Sequence, residues 1–154
     1  MQIIKILTGN KQSGKTTALL NYCNNNKTVA GILTPIVNGK RIFYNIQTQE
    51  YFNIDFENLP NDEALIVGKY KFSATAFAKA NSILQSIKIN KTTQIVIDEI
   101  GPLELLNKGF ANTLKFKLKS DNINLLLVVR DGLVNEVIDF FKLQNVQIIT
   151  QTNL

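Results

Sequence analysis

Histidine is absent from the chain, and cysteine occurs once, at Cys23. Without histidine there is no Ser–His or Cys–His nucleophile pair. Without a cluster of histidines and cysteines, a zinc centre has no ligand set. One cysteine excludes an internal disulfide and fits a reducing compartment. Arginine is nearly missing: only Arg41 and Arg130 are present, so the net charge of +5 is carried almost wholly by lysine. No apolar run approaches the roughly 20 residues that span a bilayer. The start MQIIKILTG has no basic stretch before a long apolar segment, so it is not expected to be a secretory signal. What remains is 154 residues, 45% hydrophobic and 19% charged, the profile of one globular domain with a real core. A cytoplasmic protein is expected.

The lysines are spread along the chain and give a diffuse positive field that suits any polyanion, a nucleotide or a nucleic acid among them. Their densest run is LKFKLKS, 114–120. No arginine-rich or aromatic-interleaved motif accompanies it, so it reads as a solvated helix flank and leaves nucleic-acid binding unsupported. No linker, repeat or low-complexity tract divides the sequence, and no membrane partner is implied.

Strand and helix signals alternate. QIIKIL (2–7) reads as a strand and 16–25 as a helix. That helix ends in an asparagine-rich turn, where asparagine's tolerance of left-handed geometry is useful. KTVAGILT (27–34) is a second apolar run, stopped by Pro35. Between 36 and 72 the pattern turns β-rich. Asn38-Gly39 is a hairpin signal between Ile-, Val-, Phe- and Tyr-rich runs, EYFNI (50–54) adds a strand, and LIVGKYKF (65–72) continues the region. Phe77, Ala80, Ile83, Leu84 and Ile87 share one face of a helix over about 73–88. QIVIDEI (94–100) and NLLLVVR (124–130) are continuous apolar runs, as in strands buried on both faces. GFANTLKFKLKS and GLVNEVIDFFK suggest helices, and VQIIT (146–150) a last strand. Such alternation implies an α/β fold of βαβ units with a mostly parallel central sheet.

Within this frame one stretch carries chemistry. GNKQSGKT, Gly9 to Thr16, follows the first strand, opens the first helix, and fits G-x-x-x-x-G-K-[ST]. Gly9 and Gly14 permit the backbone angles that turn the N–H groups of Asn10, Lys11, Gln12 and Ser13 inward around an anion. The helix aims its positive end at the same point. Lys15 is placed to reach β- and γ-phosphates, Thr16 to offer a hydroxyl to Mg²⁺, and Thr17 to touch an α-phosphate.

The second stretch is IVIDEI (95–100), which delivers Asp98 and Glu99 at the C-terminal end of a strand, the edge where parallel sheets bind ligands. Asp98 is the expected partner of Thr16 on Mg²⁺, through a coordinated water. Glu99 is the candidate base that orients and deprotonates an attacking water. Glu104 lies near the rim, placed either to cap the next element or to meet nucleotide or metal-bound water. Loss of a γ-phosphoryl group spreads charge over three oxygens, and an arginine helps. Arg130, at the end of the buried run LLLVV, is the first candidate. Arg41, beside the hairpin turn, is the second, acting on this chain's site or on a neighbour's. Lys69 and Tyr70 in VGKY are placed to hold a base or phosphate, or simply to build a strand.

Taken together, TGNKQSGKTT, GILTP, GKRIFYNI, VGKY and IDEIGPLEL resemble the thermophilic-type nucleoside-triphosphatase family. The likeness runs from the N-terminus to about Leu106, with a weaker fit at VVRDGL; Gln12 departs from the glycine often found there. The resemblance implies a three-layer P-loop fold of the additional-strand, RecA-like division, with a β-hairpin excursion after the second strand. It further implies slow, Mg²⁺-dependent hydrolysis of ATP, GTP and other nucleoside triphosphates with little base preference. It carries over the loop Gly9 to Thr17, the pair Asp98 and Glu99, and the acidic position of Glu104. Two alternatives stay open: a small nucleotide or nucleoside kinase, which two arginines disfavour, and a nucleotide-binding accessory module with little turnover. A guanine-reading N-K-x-D motif is missing, since 90–93 is NKTT.

Overall fold

The strand nearest the N-terminus, β1 (Ile3–Leu7), sits inside the sheet rather than at its edge, flanked in parallel by two strands from the chain's second half. These are β9 (Asn124–Val129) and β10 (Gln147–Ile149). A computed structural model describes residues 1–9 and 14–154, so Asn10, Lys11, Gln12 and Ser13 of the phosphate loop lie outside the described residues. Continuing across the sheet come β8 (Gln94–Ile100), β2 (Val29–Leu33), β4 (Lys40–Asn45) and β3 (Ile36–Val37), in the order β10-β1-β9-β8-β2-β4-β3. The pairings from β10 to β2 are parallel, and those of β4 with β2, with β3 and with β5 (Glu50–Asn53) are antiparallel. One strand, β9, therefore separates the loop-bearing β1 from the acid-bearing β8. This is the additional-strand order that the resemblance implies.

The apolar runs explain the layers. Alternate residues of a strand face opposite sides of a sheet. Ile4, Ile6, Ile95, Ile97, Leu125 and Leu127 pack with Phe77, Ala80 and Leu84 of α2 (Ala74–Ser86), Leu114 of α4 (Ala111–Lys117) and Val137 and Phe141 of α5 (Val134–Phe141). Leu7, Val96, Leu126 and Val128 meet Leu19 and Cys23 of α1 (Lys15–Asn24) on the other face. Gly31 of β2 has φ 138°, and a Cβ there would overlap the Val96 backbone, so β2 and β8 approach as closely as they do only with glycine at this position.

The excursion after β2 follows its turn signals. Asn38 and Gly39 both take positive φ (51° and 75°), the requirement of a tight two-residue hairpin. The strands β6 (Ala64–Val67) and β7 (Tyr70–Ser73) form a separate two-stranded sheet turned at Gly68 and Lys69. It is tied down by the Ser73 N–H donating to the Ile54 carbonyl at 2.8 Å. The Ser73 hydroxyl also caps α2, accepting from the Ala76 N–H at 3.0 Å.

Two expectations differ. The turn after α1 is made with Asn25 at φ −95° and ψ 0°, the right-handed region, because its N–H still finds the Asn21 carbonyl. LKFKLKS is not a solvated flank throughout: Lys117 is 2% exposed and its ammonium donates to the Ile87 carbonyl at 3.1 Å. α2 ends at Ser86, and Ile87 turns its carbonyl to that lysine. Among the described residues no helix is long and apolar enough to cross a membrane.

Candidate functional site

The ends of β1, β9, β8 and β2 and the start of α1 meet at one edge of the sheet. Gly14 precedes α1 at φ 87°, a left-handed angle that glycine takes without a Cβ clash, and its carbonyl accepts the Ala18 N–H at 3.1 Å. The Lys15 ammonium folds back to donate to the Gly9 carbonyl at 3.0 Å, so it spans the mouth of the loop. Thr16 and Thr17 line the same cavity, half-buried and exposed respectively.

β8 delivers its two acids differently. Asp98 is 1% exposed and accepts the Thr34 N–H at 2.9 Å. Burial is the main cause that raises its pKa, with the Thr34 N–H opposing. At Glu99 the pairing of β8 with β9 shifts register between Ile97 and Ile100, and Glu99 itself takes φ 55°. A left-handed glutamate costs about 1–2 kcal/mol, and bulges beside active sites re-aim side chains. Here the bulge turns the carboxylate of an otherwise buried strand out into the cleft. Glu99 Oε2 lies 2.9 Å from Arg41 Nη1, with both side chains about one-third exposed (38% and 36%). Desolvation first, then the neighbouring Asp98 charge, push the Glu99 carboxyl up to about 7, with Arg41 pulling the other way.

A single cavity of about 580 Å³ brings Lys15, Thr16, Thr17, Asp98, Glu99, Arg41 and Arg130 together. Arg130 follows β9, the strand between the loop and the acids, and its side chain is exposed at the rim. Arg41 arrives from β4, which folds back antiparallel on β2. Glu104, which also lines the cavity, is 2% exposed, with one oxygen accepting the Gly101 N–H at 2.9 Å and the other the Phe110 N–H at 3.0 Å. Of its two expected roles, it fills the capping one.

The sequence model of the family described as NTPase matches residues 5–153. The chain belongs to the NTPase family. Within it, the nucleoside-triphosphatase THEP1 of Saccharolobus solfataricus is 40% identical over 108 residues, 64% of this chain and 60% of that protein. The match thus spans less than two thirds of the relative's length. Two solved structures share the fold. The crystal structure of THEP1 from Aquifex aeolicus superposes with a TM-score of 0.71 at 22% identity, over 98% of this chain and 90% of that one. The solution structure of a human cancer-related nucleoside triphosphatase gives 0.69 at 21% identity, over 97% and 88%. These are the α/β folds with a mostly parallel sheet that the strand order describes.

For an NTPase-family site, one residue stands out that sequence reasoning did not single out. Thr34 follows β2 beside Asp98; it is 3% exposed, lines the cavity, donates its N–H to Asp98 and turns its hydroxyl toward the Asp98 and Glu99 carboxyls. Thr8, just after β1, has a buried hydroxyl with no hydrogen-bond partner among the described residues. Buried polar atoms are rarely left so unless a ligand or water completes them. The Thr16 hydroxyl and the buried Asp98 carboxylate, which line the same cavity, fit a hydrated Mg²⁺ that keeps several of its waters. Among the described residues no group of three or more His, Cys, Asp or Glu could hold a metal by itself, so such an ion would depend on the nucleotide for its remaining ligands. The available signal for Thr34 was its place at the end of an apolar run, the edge where ligands bind.

Proposed function

We propose that this chain is an Mg²⁺-dependent nucleoside-triphosphatase that cleaves the β–γ phosphate bond by water attack, with little base selectivity. The observation that carries this reading is the convergence in one cavity of Lys15 and Thr16, at the start of α1, with Asp98 and Glu99, two strands away at the end of β8. Lys15 neutralises charge on the β- and γ-phosphates, and the loop 9–17 seats them with backbone N–H groups. Thr16 and Asp98 would hold Mg²⁺, which when bound draws charge off the transferring phosphoryl group. Glu99 accepts the proton of the attacking water and orients it toward the γ-phosphorus. The guanidinium of Arg130 faces the charge that develops on the γ-oxygens. Base selectivity is expected to be low because no N-K-x-D segment is present to read guanine.

Phosphate release from ATP, GTP, CTP and UTP, with Mg²⁺ or EDTA and with or without RNA or DNA, tests the reading. Release from all four that needs Mg²⁺ and is lost in Lys15→Ala is expected. A preference for one base above about a hundredfold, near 3 kcal/mol, would overturn the selectivity. No release without an added acceptor or partner would overturn the hydrolase reading itself.

A further inference from the structure

Glu99 has a pinned backbone and a long side chain. Before it, Asp98 is buried; after it, the Gly101 N–H donates to Glu104 of α3 (Pro102–Leu105) at 2.9 Å. Its own φ of 55° sends the carboxylate into the cleft instead of the sheet. Beyond that bulge the side chain keeps the rotamer freedom of any glutamate, and a base that activates water must be held in one direction.

The hold comes from the excursion after β2. Asn38-Gly39 turns the chain so that Arg41 stands opposite Ile36 of β3, and the Ile42 N–H donates to the Pro35 carbonyl at 3.0 Å. Just past Arg41, the Phe43 ring is fully buried and packs 5.1 Å from Phe77 and 5.9 Å from Phe110 by centroids. The strand is therefore anchored where Arg41 leaves it. Arg41 Nη1 meets Glu99 Oε2 at 2.9 Å, and both side chains line the cavity. One carboxylate oxygen takes the guanidinium, and the other remains to accept from a water.

The strand order places this contact on one side of Glu99. In β10-β1-β9-β8-β2-β4-β3, Lys15 follows β1 and Arg130 follows β9, both on the loop side of β8, whereas Arg41 belongs to β4 on the opposite side. A triphosphate seated on the loop after β1 points its γ end toward β8. Glu99 then stands between the γ-phosphate and Arg41. A carboxylate beside Asp98 and facing a triphosphate is repelled by both, and a cation behind it offsets that repulsion. While the site is open to water the pair contributes little; a seated nucleotide displaces water and strengthens it.

We propose that Arg41 is a positioning residue: its guanidinium holds the Glu99 carboxylate from the side away from the phosphates, so that Glu99 faces the attacking water. The proposal rests on the seating of the nucleotide and on the role of Glu99 as base proposed above. Single-turnover phosphate release from ATP and binding of a fluorescent ATP analogue, measured in the unmodified protein, Arg41→Gln, Glu99→Gln and the double variant, test it. Arg41→Gln should lower the rate about tenfold or more and leave the analogue's affinity within about threefold. In the Glu99→Gln background the same substitution should change the residual rate less than about twofold, because no base remains to be held. An equal loss in both backgrounds would overturn the proposal and assign Arg41 to the phosphates themselves. A loss that appears in affinity rather than rate, or an unchanged rate in Arg41→Gln, would overturn it as well. Glu99→Gln turning over like the unmodified protein would sink the base role and the proposal with it. No phosphate release from the unmodified protein would instead sink the hydrolase reading on which both stand.

Discussion

Replacing Glu99 by glutamine separates binding, chemistry and stability in one variant. The side chain keeps its shape and still accepts a hydrogen bond from Arg41, but it loses the charge that makes the 2.9 Å contact an ion pair. A pair this exposed contributes about 0–1 kcal/mol, so for a chain of this size Tm should move by no more than about 2–4 °C. The chemistry responds on another scale. Loss of a general base costs about 10²–10⁴ in rate, near 3–5 kcal/mol. Nucleotide affinity should hold or improve, because one negative charge beside the γ-phosphate is gone. Single-turnover phosphate release gives the rate, displacement of a fluorescent nucleotide the affinity, and thermal unfolding the stability. Turnover within a few-fold of the unmodified protein would refute the argument and move the base role elsewhere. Equal losses of affinity and rate would refute it too, since they would mark Glu99 as a structural partner of Arg41.

Three further outcomes follow from the same geometry. Gly31→Ala puts a methyl into the Val96 backbone at φ 138° and must pry β2 from β8; a loss of more than about 3 kcal/mol in urea unfolding is expected, and a loss under about 1 kcal/mol would contradict the close approach. Glu104→Ala leaves the Gly101 and Phe110 N–H groups buried without acceptors, at about 1–3 kcal/mol each, and denaturant midpoints should show it with nucleotide affinity little changed. In the nucleotide-free, metal-free protein, Glu99 and Glu104 titrate near 7 rather than at 4.5, and Asp98 is raised as well. The folded state therefore holds more protons than the unfolded one across that window, so stability should fall as pH rises from about 4.5 to about 7. Unfolding midpoints that rise over the same range would contradict it.

The backbone of this account was legible because its signals are local. Ile95–Ile97 and Leu125–Val129 are apolar on both faces and became the sheet's centre; Asn38-Gly39 became the hairpin turn; Gly14-Lys15-Thr16 opens α1 where the spacing places it. What escaped depends on contacts between distant segments. Arg41 meets Glu99 only because β4 folds back on β2, which no local pattern encodes. The left-handed turn at Glu99 breaks strand geometry in a residue with no preference for it, and only the register shift against β9 reveals it. Glu104 looked like a rim acid and is a buried cap, because Gly109, also left-handed, leaves room for its carboxylate. Lys117 looked solvated by composition, yet its side chain is buried and its ammonium donates to the Ile87 carbonyl, a contact between distant segments. Of the loop itself, Asn10 to Ser13 are placed by the motif alone.

A crystal structure with Mg²⁺ and a non-hydrolysable triphosphate tests the central claim most directly. The account predicts the β-phosphate on the N-terminus of α1 within hydrogen-bonding reach of the Lys15 ammonium, Mg²⁺ between the Thr16 hydroxyl and Asp98, and the γ-phosphate pointing toward Glu99. A triphosphate bound elsewhere, or one whose γ end points away from β8, would contradict it.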